Sequence, residues 1–261
     1  VIEAREIYSG YTPECDIVRG VNITARQGQV TTLMGPNGCG KSTLLKTMSR
    51  LLSPRKGSVT VDGTDVHGLE PKEAARTVAL LPQHPMAPPG LRVGELVARG
   101  RHPHRGWLGG NSAADRSAIE AALERTDTAA LVDREVAELS GGQRQRMWLA
   151  LALAQETPVL LLDEPTTYLD PAHALSTLAL CRDLARDGRT VVMVLHDLML
   201  AGEYSDEMVV MREGQVIAQG APNEALTSEV LARAYGLNAE VWPNPQGNAP
   251  VIVPRGIVSE G

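Results

Sequence analysis

Nine consecutive residues, Gly35, Pro36, Asn37, Gly38, Cys39, Gly40, Lys41, Ser42 and Thr43, have the types and spacing to hold a phosphate group. They fit G-x-x-x-x-G-K-[S/T], in which glycines let successive backbone N–H groups converge on one anion. Lys41 would bridge the β- and γ-phosphates of a nucleoside triphosphate, and the Ser42 hydroxyl would bind Mg²⁺. Two other groups suit hydrolysis. The run Val159, Leu160, Leu161, Leu162 ends in Asp163 and Glu164, and the run Val191, Val192, Met193, Val194, Leu195 ends in His196. Two carboxylates at the end of a buried strand are costly unless a cation or an acid–base task compensates for their desolvation. Asp163, next to the strand, is expected to orient Mg²⁺ through water, and Glu164 to polarise the attacking water as general base. His196 could donate to the γ-phosphate and keep Glu164 and the water in register. Finally, Leu139, Ser140, Gly141, Gly142 and Gln143 precede a helical stretch. A serine hydroxyl and free N–H groups at a helix N-terminus form a second anion site. One triphosphate needs one cradle, so two in one chain point to a site shared between subunits.

These groups need elements that bring them together. Val30, Thr31, Thr32, Leu33 and Met34 suit a buried strand before the glycine loop, and Leu44, Leu45, Met48 and Leu51 fall at helical spacing after it. The two later apolar runs read as parallel strands covered on both faces, joined by a crossover helix over residues 174–187 that Gly188 closes. In an open parallel sheet all three carboxyl ends meet in one crevice. Short strands dominate residues 1–64, with turns expected at Gly10, Gly20, Gly28 and Gly63. Residues 85–155 open with prolines and then turn rich in Ala, Leu, Arg and Glu, with Ile119, Ala122, Leu123 and Ala130 suggesting a helix face. That reads as a helical insertion. Residues 208–211 and 215–218 flank a hairpin turn. Residues 242–254 carry four prolines and are expected to be extended.

With 261 residues the chain can bury a sizeable core. A net charge of −6 and no basic run argue against a nucleic-acid partner. Three scattered cysteines, Cys15, Cys39 and Cys181, suggest a reducing compartment. The longest apolar stretch, residues 147–154, falls well short of the ~20 residues that span a bilayer. No signal peptide is expected at the start. Other chains would therefore have to cross any membrane this protein serves.

In order, residues 35–43, Gln83, residues 139–143, residues 160–164, Asp170 and His196 resemble the motif set of ATP-binding cassette (ABC) ATPases. The resemblance covers about residues 5–220, and the LSGGQ pentad is its most specific element. It implies an α/β fold: a P-loop NTPase core with a mostly parallel sheet, an N-terminal antiparallel β subdomain and an inserted helical subdomain. On that pattern residues 1–84 and 156–225 form the ATP-binding core, residues 85–155 the helical subdomain, and residues 226–261 a C-terminal helix and extended tail.

The resemblance further implies ATP and Mg²⁺, the metal held through Ser42, Gln83 and Asp163. It implies a head-to-tail pair in which Lys41 of one copy faces Ser140 and Gly142 of the other, with Gly141, Gln143 and Asp170 at the same seam. Tyr11 would stack on adenine, with Tyr8 the alternative. Gln83 would touch Mg²⁺ and the water, and sense membrane-spanning permease subunits at the cytoplasmic face. A substrate-binding protein would act indirectly.

Residues 80–85, 95–104, 106–109, 153–158 and 163–170 are similar to ATPases of bacterial ferric-siderophore importers, with haem and cobalamin importers as relatives. The alternative is a soluble ABC-type mechanical NTPase acting on nucleic acid or ribosomes, whose coiled-coil insertions or paired cassettes are not seen here. Cys39, Gly94 and Met199 depart from the usual pattern. His102 and His104 offer two imidazoles where a closed zinc site needs four ligands.

Overall fold

The computed structural model describes residues 1–12, 14–106, 112–245, 247 and 249–258. The chain begins β1 (Ile2–Ser9), β2 (Val18–Ala25), β3 (Val30–Met34), α1 (Lys41–Met48), β4 (Lys56–Val61), β5 (Thr64–Asp65), α2 (Pro71–Thr77) and β6 (Val78–Leu81). The helical stretch holds α3 (Val93–Val97), α4 (Ala113–Arg125) and α5 (Gly141–Ala154). There follow β7 (Val159–Asp163), α6 (Pro171–Arg186), β8 (Thr190–Val194), α7 (Leu198–Tyr204), β9 (Glu207–Arg212) and β10 (Gln215–Gly220). Last come α8 (Pro222–Ala225), α9 (Ser228–Tyr235), β11 (Leu237–Trp242) and β12 (Val251–Ile257).

A six-stranded sheet runs β10-β9-β3-β8-β7-β6, parallel except for the β9–β10 hairpin. Every residue of β3, β7 and β8 is buried, as strands covered on both faces must be. Alternation within them divides the core. Leu33, Leu161, Val192 and Val194 face α1 and the antiparallel sheet β2-β1-β4-β5. Leu160, Leu162, Val191 and Met193 face the side where α5, α6 and α9 pack.

Several local readings need correction. The helix after the glycine loop stops at Met48, and Leu51 is 70% exposed. Arg50 adopts a left-handed φ of 69° and the Leu52 amide turns back to the Lys46 carbonyl, which ends the helix before a fourth apolar position is reached. Gly20 is not a turn but lies inside β2. Its φ of 66° accompanies a register shift against β1, where a Cβ would meet the Tyr8 phenol at 2.9 Å. Ala130 lies outside the helix face, because α4 ends at Arg125 and a separate 3₁₀ turn follows. The tail is extended, as β12, and it pairs with β11 as an antiparallel hairpin. Pro254, which has no N–H to donate, sits on β12, which pairs on one side only.

Polar clamps brace the insertion internally. Arg101, 4% exposed, donates to Asp115 Oδ1 at 2.9 Å and to the Ala154 carbonyl at 2.7 Å. His104 Nε2 lies 2.8 Å from the Gln155 carbonyl, a structural use for one of the two imidazoles. Gly94 has a packing cause, since a Cβ there would sit 2.6 Å from Val132 Cγ2. Residues 107–109 of the importer-like stretch lie outside the described residues.

Candidate functional site

Register sets the site. Val194 pairs with Leu33 on one side and Asp163 on the other, and Leu81 pairs with Leu162. Gly35, Gln83, Glu164 and His196 therefore leave four neighbouring strands within about a residue of the same level, at the sheet's carboxyl edge.

The glycine loop turns there. Gly35, Gly38 and Gly40 have φ of 143°, 78° and 105°. At Gly35 a Cβ would lie 2.2 Å from the Met211 carbonyl oxygen, so both conformation and space demand glycine. Lys41 is buried, its ammonium donating to the Gly35 and Pro36 carbonyls at 2.8 and 2.9 Å, with Cys39 Sγ at 3.6 Å. The Ser42 hydroxyl donates to Asp163 Oδ1 at 3.1 Å.

The two neighbouring carboxylates differ. Burial raises the Asp163 pKa above its ordinary value, and the charge on Glu164 adds to this against the Ser42 hydrogen bond and the lysines. For Glu164, burial pulls upward, but hydrogen bonds from His196, Gln83 and Thr167 outweigh it and the net shift is downward. His196 Nε2 lies 2.6 Å from Glu164 Oε1, and Thr167 Oγ1 donates to Glu164 Oε2 at 3.0 Å. Glu164 also takes a left-handed φ of 56°, a strained value for a non-glycine residue.

A cleft of about 610 Å³ opens onto this cluster, lined by Tyr11, residues 37, 38 and 40–43, Gln83, Glu164 and His196. Tyr11 is 57% exposed at its rim. Lys46 Nζ donates to its hydroxyl at 3.0 Å and lies 5.2 Å from the ring centroid. Burial raises the phenol's pKa, but the Lys46 and Thr43 hydrogen bonds lower it further. Tyr8 sits in β1 beneath Lys56 and does not line the cleft.

The donor set fits Mg²⁺. The metal prefers a few protein oxygens and fills its other positions with water and phosphate, and the Ser42 hydroxyl and Asp163 carboxylate present such oxygens side by side. A cation would also offset the unfavourable burial of Asp163 beside Glu164. Among the described residues, no group of three or more His, Cys, Asp and Glu side chains is placed to hold a metal.

Ser140, Gly141, Gly142, Gln143 and Asp170 are not brought to this cleft within one chain. Ser140 is exposed and caps α5: its Oγ accepts from the Gln143 amide at 3.3 Å, and its N–H donates to Gln143 Oε1 at 3.1 Å. The glycines pack on residues 168 and 169, where added Cβ atoms would meet Tyr168 at 3.4 Å and Leu169 at 3.3 Å. Asp170 caps α6, accepting from the His173 amide at 2.9 Å, with His173 Nδ1 2.6 Å from its other oxygen.

A family model described as "ABC transporter" matches residues 18–167. The chain belongs to the ABC transporter family. The iron(3+)-hydroxamate import ATP-binding protein FhuC of Bacillus subtilis (strain 168) is 47% identical over 238 residues, 91% of this chain and 88% of that protein. Among solved structures, a metal-chelate type ABC transporter in an inward-facing conformation superposes with a TM-score of 0.83. It is 27% identical and covers 98% of this chain and 97% of its own. A dimeric bacterial ABC transporter cassette gives 0.75 at 26% identity, covering 85% of this chain and 98% of its own. The ABC chain is thus a transport ATPase with an ATP-binding domain. No helix among the described residues is long and apolar enough to cross a membrane.

Sequence reasoning passed over three residues of this ABC site: Lys46, which grips Tyr11; Thr167, which donates to Glu164; and Gln145, whose Nε2 lies 3.5 Å from the Glu164 carbonyl. Only Thr167 left a usable signal, a hydroxyl three residues past Glu164 with Pro165 between them, the reach of a single turn.

Proposed function

We propose that the chain is the ATP-hydrolysing subunit of an importer for a ferric siderophore or a related iron complex. Two copies would work head to tail against membrane-spanning permease subunits at the cytoplasmic face, with a substrate-binding protein acting indirectly. One observation carries the hydrolytic reading: Glu164 and His196 meet at 2.6 Å beside Lys41, Ser42 and Asp163. An inert nucleotide module would have no use for a buried carboxylate held ionised at the mouth of a phosphate cradle.

In this reading the loop amides and Lys41 hold the β- and γ-phosphates, and Tyr11 stacks on the base. Glu164 takes the proton of a water that attacks the γ-phosphorus while the bond to the β-phosphate oxygen breaks. Gln83 and His196 keep that water and Glu164 aligned. Mg²⁺, held through Ser42, Asp163 and Gln83, would neutralise charge on the phosphate oxygens.

The pair is supported by geometry as well as by the dimeric state of a similar cassette. Ser140 and the α5 N-terminus form an anion-binding end that lies outside the chain's own cleft. In a two-fold pair each would close the other's cleft. The cargo rests on the iron(3+)-hydroxamate and metal-chelate likenesses.

The test is Glu164→Gln. The variant should bind ATP, accumulate paired species with ATP in size-exclusion chromatography, and release phosphate at under about a hundredth of the normal rate. It should also fail to restore growth of a deletion strain fed a ferric siderophore as sole iron source. Near-normal hydrolysis removes Glu164 from the base role, and normal growth without the gene removes the cargo.

A further inference from the structure

Glu164 carries three side-chain torsions, and a general base that swings among rotamers spends little time aimed at its water. The structure pins both of its oxygens. His196 Nε2 holds Oε1 at 2.6 Å, and the Thr167 hydroxyl holds Oε2 at 3.0 Å. An ionised carboxylate only accepts, so Thr167 is the donor.

The second pin is built into the backbone. The Thr167 amide donates to the Glu164 carbonyl at 3.3 Å, closing a four-residue turn through Pro165 and Thr166. That turn starts from the left-handed φ of 56° at Glu164. One local structure therefore sets the direction in which Glu164 leaves the sheet and carries the hydroxyl that fixes its carboxylate. Gln145 Nε2, buried on α5, lies 3.5 Å from the same carbonyl and braces the turn from behind. Thr167 itself does not line the nucleotide cleft.

We propose that Thr167 is a positioning residue for hydrolysis: its hydroxyl locks the Glu164 carboxylate plane with His196 so that the free lone pairs face the cleft. This rests on Glu164 being the base. Its specificity lies in the hydroxyl and not in the shape of the side chain, which separates it from a turn residue that only stabilises the fold.

The experiment compares Thr167→Val, which keeps the branched shape, with Thr167→Ser, which keeps the donor, in steady-state phosphate release by the full chain. Loss of one hydrogen bond to a charged group should lower kcat about tenfold. KM for ATP and the unfolding midpoint should stay as in the unsubstituted protein, and Thr167→Ser should restore most of the rate. In a Glu164→Ala background, Thr167→Val should cause no further loss. A kcat within twofold of normal in Thr167→Val overturns the proposal. So does an equal loss in Thr167→Ser, or a further drop in the Glu164→Ala background. If Glu164→Ala itself hydrolyses ATP normally, the reading of the base falls and the proposal with it. A dead Glu164→Ala beside a normal Thr167→Val removes Thr167 alone.

Discussion

Replacing His196 with alanine removes the shortest contact to Glu164, and the size of the effect follows from where the pair sits. A hydrogen bond to a charged group contributes about 1.5–3 kcal/mol when its partner is left unpaired. The Glu164 side chain is 11% exposed, but that of His196 is 46% exposed, so water can partly replace the lost donor. The lower end applies, about 1.5 kcal/mol, or roughly a tenfold fall in rate at 1.36 kcal/mol per decade. The loss should sit in kcat, read as phosphate release at saturating ATP, with KM little changed because Lys41 and the loop amides remain. The pH profile supplies an independent sign. His196 is among the donors that hold the Glu164 carboxyl below its usual range. Without it the carboxyl's pKa rises, so the acid limb of kcat should move to higher pH and activity at pH 5.5 should fall more than at pH 7.5. A kcat loss below about threefold, or an acid limb that stays put, would refute the idea that this contact prepares the base.

Two further outcomes follow. Lys41→Ala and Ser140→Arg should each abolish turnover alone, yet a mixture should regain activity, because a mixed pair contains one seam with both residues intact; a mixture as dead as its parts excludes the shared site. Gly35→Ala places a Cβ 2.2 Å from the Met211 carbonyl at a φ of 143°, so it should cost on the order of 1–3 kcal/mol in thermal unfolding and raise KM for ATP.

The parts of the architecture set by continuous local pattern were readable in the chain. Strands β3, β7 and β8 are unbroken apolar runs, and only a sheet covered on both faces gives such runs a place. What escaped was set by distant partners. The bulge at Gly20 depends on the register of β1 against β2, and the C-terminal hairpin on pairing residues nine to twenty positions apart. The end of α1 was lost for another reason: Leu51 continues the helical spacing, but the reversal at Arg50 interrupts it.

The site shows the same division at finer scale. Nothing in the dipeptide Asp163-Glu164 says that one carboxylate should have its pKa raised and its neighbour lowered. Asp163 ends a buried strand, with the Ser42 hydroxyl donating to it, and desolvation prevails. Glu164 leaves the strand at a left-handed turn that swings it under His196, Gln83 and Thr167, and the donors prevail. A raised pKa suits a group whose charge a cation must stabilise, and a lowered one suits a carboxylate that must stay ionised beside its water. One backbone torsion at residue 164 thus separates two adjacent acids into two chemical environments, and substitutions that relax that turn should blur the distinction even where both carboxylates remain.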